Sequence, residues 1–420
     1  MTINSTNVPE SIDHLFRHEY GKMVAVLTKT FSSSNIQLAE DVVQEAMLEA
    51  VNQWSYKGIP NNPAGWLYKV ARYKALNILK REKYKSDVHS EQILSDQYEP
   101  ESTIFTDKEI ADDQLRMMFT CCHPSISPDS QVALTLKTLC GFSISEIASA
   151  FLTSNDNINK KLVRARSKIR EADVPFEVPV GKDLSQRLMS VLETVYLLFN
   201  EGYHSSSGTD LIRFELCEEA IRLAEIIASN SKLIPTSSVY ALLALMSLNA
   251  ARFNSRIDNF DNIIDLEHQD RDKWDRELIL KGLAYLDRSL HPREVSVYHI
   301  LAAISAHHCT AKSFKDTDWE NILSLYDSLA EIDSSPIVLL NRAIVISKIT
   351  NAQYALLEID KIKAKTSLRA YLPYYTSKAE LYYQNNEPMK AITLLKKALP
   401  LTQNEKSRSF VINKIAEYEG

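Results

Sequence analysis

The stretch ISEIASAFLTSNDNINKKLVRARSKIR, residues 144–170, decides the fold because two helical patterns meet in it across a polar break. In the second pattern, a projection at about 100° per residue brings Ile158, Leu162, Ala165 and Ile169 into one arc about 60° wide. Asn157, Lys160, Lys161, Arg164 and Lys168 occupy a broad arc well away from it. The first pattern is shorter and carries Ile144, Ile147, Ala148 and Phe151 before the polar turn. A short amphipathic helix, a tight turn and a second helix with a narrow apolar stripe make a helix-turn-helix, whose second element lies in the major groove of a duplex.

Between Asn157 and Arg170 stand six basic side chains and no acidic one, in a chain whose formal net charge is -6. The ordinary fate of a charge run is a solvated helix face. Such faces mix signs, because opposite charges four residues apart favour the helix and like charges cost about 0.2–0.5 kcal/mol per pair. A run of one sign points instead to a polyanion. Lys160, Lys161, Arg164 and Lys168 suit phosphates, and Asn157 and Asn159, near the helix start, suit base edges.

A second basic stretch, AGWLYKVARYKALNILKREKYK (64–85), is patterned differently. Asn62 can cap it and Pro63 suits its first helical position. Leu67, Val70, Ala71, Ala75 and Ile78 form the stripe expected to be buried, while Trp66, Tyr73, Asn77, Lys80 and Tyr84 share an opposite arc of roughly 60°, with Lys69 at its edge. Rings interleaved with lysines provide stacking platforms for unpaired bases and cations for the backbone. The same rings also suit a core or an interdomain contact, and Leu76 falls outside the stripe. Upstream, LAEDVVQEAMLEAVNQW spaces Leu38, Val42, Val43, Ala46, Ala50 and Trp54 helically and leaves Asp41, Gln44, Glu45 and Glu49 for another face.

The whole chain reads as all-α. Nine glycines in 420 residues fall far below the usual ~7%, and hairpins, bulges and phosphate-cradling loops all consume glycine. Hydrophobic residues at 45% and charged residues at 24% describe a soluble globular protein long enough for two or three domains. No apolar run approaches the ~18 residues of a membrane span, and the first 25 residues lack a secretory pattern, so a cytoplasmic protein without membrane contact is expected. Cys121, Cys122, Cys140, Cys217 and Cys309 form no disulfide framework. Cys121-Cys122-His123 is expected to be packed thiols before Pro124, since adjacent cysteines chelate poorly; no metal and no cofactor are expected.

Residues 87–113 carry nine Asp or Glu against one Lys, which reads as a linker, partly helical toward its end. After VPFEVPVGKD the helical patterns run on, and two windows repeat with a shift of 36 residues: Ala343 and Ala355 correspond to Ala379 and Ala391. The second window, with Tyr382, Leu395 and Ala398, resembles a tetratricopeptide helix pair, in which small residues let two helices approach.

In this order, AEDVVQEAMLEAV, PNNPAGWLYKVARYKALNILKRE and the helix-turn-helix resemble regions 2.2, 2.3–2.4 and 4.2 of a sigma-70 family RNA polymerase sigma factor of the extracytoplasmic-function type. CCHPSISPDSQVALTLKTLCGFS, YLLFNEGYHSS, CEEAIRLAEII, DRDKWDRELI, TDWENILSLYD and VLLNRAIVI resemble the subgroup with a long C-terminal tetratricopeptide-like extension. The resemblance implies a sigma region 2 domain over 1–86, an acidic linker over 87–114, a region 4 domain over 115–174 and the extension over 175–420. It implies two partners, core RNA polymerase and promoter DNA, and no enzymatic activity. Asp41, Gln44, Glu45 and Glu49 would contact core polymerase; Asn61, Asn62, Trp66, Lys69, Arg72, Tyr73, Asn77 and Lys80 would capture melted minus-ten DNA. Asn157, Asn159, Lys160, Lys161, Arg164 and Lys168 would read the minus-35 duplex. Asp156-Asn157 stands where many members have Gly-Thr or Ala-Thr, so a promoter sequence does not carry over.

The competing reading is a stand-alone helix-turn-helix regulator with a ligand- or protein-sensing helical domain, in which Trp66 and Tyr73 have no role in melting. The concave side of the array suits a protein or peptide. The acidic linker is expected to hold the free protein in a compact, weakly DNA-binding state. His307 and His308 point about 100° apart on a helix and read as core or surface residues, and NEGYHSSSG (200–208) reads as an interhelical loop.

Overall fold

The computed structural model describes residues 8–86, 106–151, 153–203, 212–230, 237–258, 263–290, 295–362, 368–369, 371–402 and 405–419. Among these, the regular elements are helices and none is a strand. The chain divides into two compact units, residues 1–197 and 198–420, with the division inside one helix.

The first unit opens with α1 (Val8–Phe31), α2 (Ile36–Lys57) and α3 (Pro63–Ser86). In α2 the expected stripe is buried at Val42, Val43, Ala46, Ala50 and Trp54, and Leu38 is half-buried. Asn62 caps α3 as its sequence position suggests: its side-chain oxygen accepts from the Gly65 N–H at 2.9 Å. Leu67, Ala71 and Ala75 are buried beneath α3, whereas Val70 and Ile78 are half-buried.

Helix α4 (Asp107–Cys121) starts inside the acidic stretch read as a linker. Thr106 and Glu109 form a reciprocal capping box that sets the start, and Asp113 and Gln114 are already buried. Linker residues 87–105 lie outside the described residues. Helix α5 (Pro128–Thr138) follows, then α6 (Ile144–Ala150) and α7 (Asn155–Glu171).

Helix α1 touches this second group closely. A Cβ on Gly21 would stand 1.8 Å from the Leu139 carbonyl oxygen, so only glycine permits the crossing. Around it, Arg17 pairs with Glu146 at 2.8 Å and Lys29 approaches Asp113 at 3.6 Å.

Cys121 and Cys122 are packed thiols: Cys121 meets Thr138 Oγ1 at 3.2 Å, and Cys122 meets Thr194 Oγ1 at 3.5 Å. Burial pushes both thiols up, Cys122 to about 11. The partner Thr194 lies on α8 (Lys182–Tyr203), and Arg187 of the same helix donates to the Phe119 carbonyl. These bonds group residues 175–197 with the first unit, past the boundary drawn at 174 from sequence.

The second unit runs through α9 (Phe214–Ser229), α10 (Ser237–Ala250), α11 (Arg276–Ser289), α12 (Val297–Thr310), α13 (Trp319–Ile332), α14 (Pro336–Ile349), α15 (Ala352–Lys361), α16 (Leu372–Gln384), α17 (Pro388–Ala398) and α18 (Glu405–Glu419). Helix α10, SSVYALLALMSLNA, is apolar all round and is accordingly sheathed by α9, α11 and α12. The repeating alanines sit where helices cross: Ala343, Ala355, Ala379 and Ala391 are each at most 1% exposed. Helix pairs α14·α15 and α16·α17 pack against each other across short connections. From residue 204, the expected NEGYHSSSG loop lies outside the described residues; 200–203 close α8.

Candidate nucleic-acid interface

Helix α7 sorts its side chains by a simple rule. Ile158, Leu162, Ala165 and Ile169 are sealed against α5 and α6, and each large aliphatic contributes about 1.5–3 kcal/mol by leaving water. Ser154 caps the helix by accepting the Asn157 N–H at 3.2 Å. With the apolar arc fixed inward, Asn157, Asn159, Lys160, Arg164 and Lys168 are exposed and Lys161 is half-exposed.

The exposed face is not free of acid. Lys160 pairs with Asp156 one turn earlier at 2.7 Å, and Lys161 reaches Asp129 of α5 at 3.1 Å while lying over the Phe151 ring. Asn157 Nδ2 donates to Thr153 Oγ1 at 2.7 Å. As solvent-exposed ion pairs, the two lysine contacts are each worth about 0–1 kcal/mol.

One basic residue of the run turns the other way. Arg166 bonds Glu40 of α2 at 2.5 Å, where Glu40 is 1% exposed. Burial raises the Glu40 carboxyl above the usual range and outweighs the pull of Arg166 and Lys137. Arg166 does not stand out from the basic run in sequence; its signal was present in Glu40, an acid placed among the buried positions of α2.

The α3 face is mixed. Tyr73 is 68% exposed, and Lys69 and Lys80 are exposed beside it, while Arg72 and Asn77 are half-buried. Asn61 and Asn62 are exposed just before the helix. Trp66 departs from the outward arc expected of it: its ring meets Trp54 edge-on at 5.5 Å and is half-buried. A large ring one turn into a helix has core surface within reach, and burying it gains more than hydrating it. The side chain of Tyr84 lies outside the described residues.

On α2, Asp41, Gln44 and Glu45 are exposed and Glu49 is half-exposed. Lys74 of α3 joins the last two, at 3.5 Å to Glu45 and 3.1 Å to Glu49. Sequence reading passed over Leu48, Val51 and Tyr56, which are 63%, 45% and 93% exposed. By the 100° projection Leu48 falls between Gln44 and Glu45, so the acidic face carries an apolar centre. That is the anatomy of a protein interface: an apolar middle with a polar rim.

Comparison with known proteins fits this division of surfaces. The Sigma-70 region 2 family model matches residues 15–84, which contain α2 and α3, and the Sigma-70 region 4 model matches 116–169, which contain the helix-turn-helix. A family of unknown function (DUF6596) matches residues 187–290. An uncharacterized protein of Rhizobium meliloti (strain 1021) is 34% identical over 381 residues, covering 90% of this chain and 89% of that protein. No solved structure matches the chain. No described helix is long and apolar enough to cross a membrane. The chain therefore carries, in order, Sigma-70 region 2 and Sigma-70 region 4, which support a sigma-70 type role in promoter recognition.

Proposed function

We propose that this chain is an extracytoplasmic-function type sigma factor whose α2 face binds core polymerase, whose α3 face holds the melted minus-ten strand and whose α7 face reads the minus-35 duplex. The observation that carries this reading is the outward face of α7, where Asn157, Lys160, Arg164 and Lys168 are exposed around a sealed apolar stripe. Tyr73 offers a stacking platform to an unpaired base, Asn61 and Asn62 line its approach, and Lys69 and Lys80 meet the backbone. Leu48, ringed by Asp41, Gln44, Glu45 and Glu49, provides the docking surface for polymerase. The proposed domains are a region 2 domain over 1–86, a linker over 87–114 whose last residues open α4, a region 4 domain over 115–174 and a regulatory, tetratricopeptide-like extension over 175–420 whose residues 175–197 group with the first unit.

By their nominal positions, minus ten and minus 35, the two DNA elements are centred about 25 base pairs apart, about 85 Å at 3.4 Å per pair. A compact unit of this length has a radius of gyration of about 16 Å. One such unit does not span both elements, so promoter binding requires the α1–α3 and α4–α7 groups to separate, releasing Arg166–Glu40, Arg17–Glu146 and Lys29–Asp113. The free protein is then a weak DNA binder, and core polymerase favours the open form.

The test is transcription in vitro with purified core polymerase, on a promoter found by aligning start sites after overexpression. The full chain is expected to direct initiation there, and Tyr73→Ala to bind the promoter yet melt it poorly. Duplex binding with no dependence on polymerase, and no loss from Tyr73→Ala, would establish the stand-alone regulator instead. Removal of the array after Pro179 is expected to change promoter output; equal output would remove its regulatory role.

A further inference from the structure

The segment after α10 gathers positive charge that forms no ion pair with a carboxylate among the described residues. Arg252 and Arg271 both lie against Trp274, their guanidinium carbons 5.5 and 4.7 Å from the ring centroid. Trp274 is 3% exposed, and its indole N–H has no acceptor among the described residues. His308, in the last turn of α12, completes the group: its Nδ1 is buried and also without a partner there.

The bonding of the two arginines differs. Arg271 donates to the His308 and Ala311 carbonyls at 2.5 and 2.8 Å and to Thr317 Oγ1 at 3.4 Å, closing the C-terminal end of α12. Those carbonyls offset roughly half an elementary charge. Among the described residues Arg252 has a single side-chain bond, from Nε to Gln269 Oε1 at 3.3 Å, which leaves its two terminal nitrogens for another acceptor. Gln269 is itself fixed, its amide donating to the Ile264 carbonyl at 3.0 Å, so Arg252 is held in place rather than left to wander.

Neither arginine forms an ion pair with a carboxylate among the described residues. Asp316, the carboxylate that acts on Arg271 through space, has its Oδ2 taken by the Ser313 hydroxyl at 2.7 Å. Burial and the two arginines hold the His308 imidazole neutral, its pKa pushed down to about 3. It can therefore donate one hydrogen bond without adding to the repulsion.

We propose that Arg252, Trp274 and His308 bind a phosphate group, with Arg271 as the second positive charge of the site. Two guanidinium groups favour a dianion over a carboxylate, and the donors outnumber the two oxygens a carboxylate offers. Arg252, Arg271 and Trp274 fall within the matched family of unknown function, and His308 lies beyond it. The site makes the array a sensor of a phosphorylated small molecule or of phosphate itself.

The experiment is isothermal titration of the full-length chain, without DNA or polymerase, against inorganic phosphate, glycerol phosphate and acetate. Phosphate is expected to bind in the millimolar range or tighter, and acetate not to bind. Tighter binding of glycerol phosphate identifies an esterified ligand, and equal binding identifies free phosphate. R252Q is expected to weaken phosphate roughly tenfold, the loss of one charge-assisted hydrogen bond, with W274F weakening it by a smaller factor. R252K, which keeps the charge and loses the fork, falls between and guards against a folding defect in R252Q. The variant R164Q/K168Q, altered only on α7, should bind phosphate as the wild type does. Absence of binding to the wild type, or binding lost in R164Q/K168Q and kept in R252Q, overturns the proposal. Because no promoter or polymerase is involved, that failure leaves the sigma-factor reading untouched.

Discussion

Positive charge on α7 and positive charge in the C-terminal array are treated oppositely. On α7, Lys160, Arg164 and Lys168 stand in water, and the acids near them, Asp156 and Asp129, sit at the rim. In the array, Arg252 and Arg271 are drawn half inside against a buried indole, with no ion pair to a carboxylate among the described residues. Outward charge costs the fold little and is available to a long polyanion. Inward charge is costly to desolvate and fits one small, well-placed anion. Arg166 marks the border between the two cases: two residues from Arg164, it turns inward and finds Glu40.

That contrast can be broken most forcefully at Arg166. Arg166→Met leaves Glu40 buried without its partner, and about 3–5 kcal/mol of stability should be lost at neutral pH, read by urea unfolding. The sign of its pH dependence follows from the raised Glu40 carboxyl, which is more readily protonated folded than unfolded. Stability from such a group is fully present below the unfolded pKa and disappears as pH rises through the folded one. The variant should therefore recover on acidification toward the ordinary carboxylate range; a loss that stays constant with pH would show that Glu40 remains ionised.

A smaller effect is expected on the outward face. Replacing Lys160, Arg164 and Lys168 together with Gln should lower the salt slope of minus-35 duplex binding by about 3 and weaken it roughly 100-fold at physiological salt. Fluorescence anisotropy over a salt series checks this, and the melting temperature should not move. If folding suffers and the salt slope does not, the face is structural.

Next come the rings of α3. Tyr73→Ala should remove about 1–3 kcal/mol from single-strand binding and leave stability intact. Trp66→Ala should do the reverse in part, destabilising the fold by less than the ~3 kcal/mol of a fully buried ring because Trp66 is half-buried against Trp54. An effect confined to acid pH is expected at His308. Its depressed pKa means that the unfolded chain binds a proton first as pH falls, so stability is lost from the ordinary histidine range down to about 3. His308→Gln should flatten that limb in a difference curve of urea midpoints against pH.

The outward charge was legible in the sequence because period and sign coincide: four apolar residues at helical spacing, with five cations and no acid between them, set one face inward and leave most of the charge outside. The alanine repeat of the array was legible for the same reason, and Ala343, Ala355, Ala379 and Ala391 are buried. Trp66 was not, since a ring satisfies an exposed arc and a core equally well and only the position of Trp54 decides. The start of α4 was legible only as a helical end to the acidic linker; its exact place was not, because acids that read as linker also cap and open a helix at Thr106 and Glu109. The Arg252 cluster could not be read at all. Its members come from the end of α10, a turn before α11 and the end of α12, and no local pattern joins residues that only the packing of those helices brings together.

The central claim is that this chain serves as a subunit of RNA polymerase, and it is tested most directly by mixing it with core enzyme stripped of other sigma factors and measuring the mass of the product. We predict a one-to-one complex, lost when Leu48 on the exposed α2 face is replaced by Glu and kept when α7 is neutralised. Elution of the intact chain apart from core, while it still binds duplex DNA, would contradict the account.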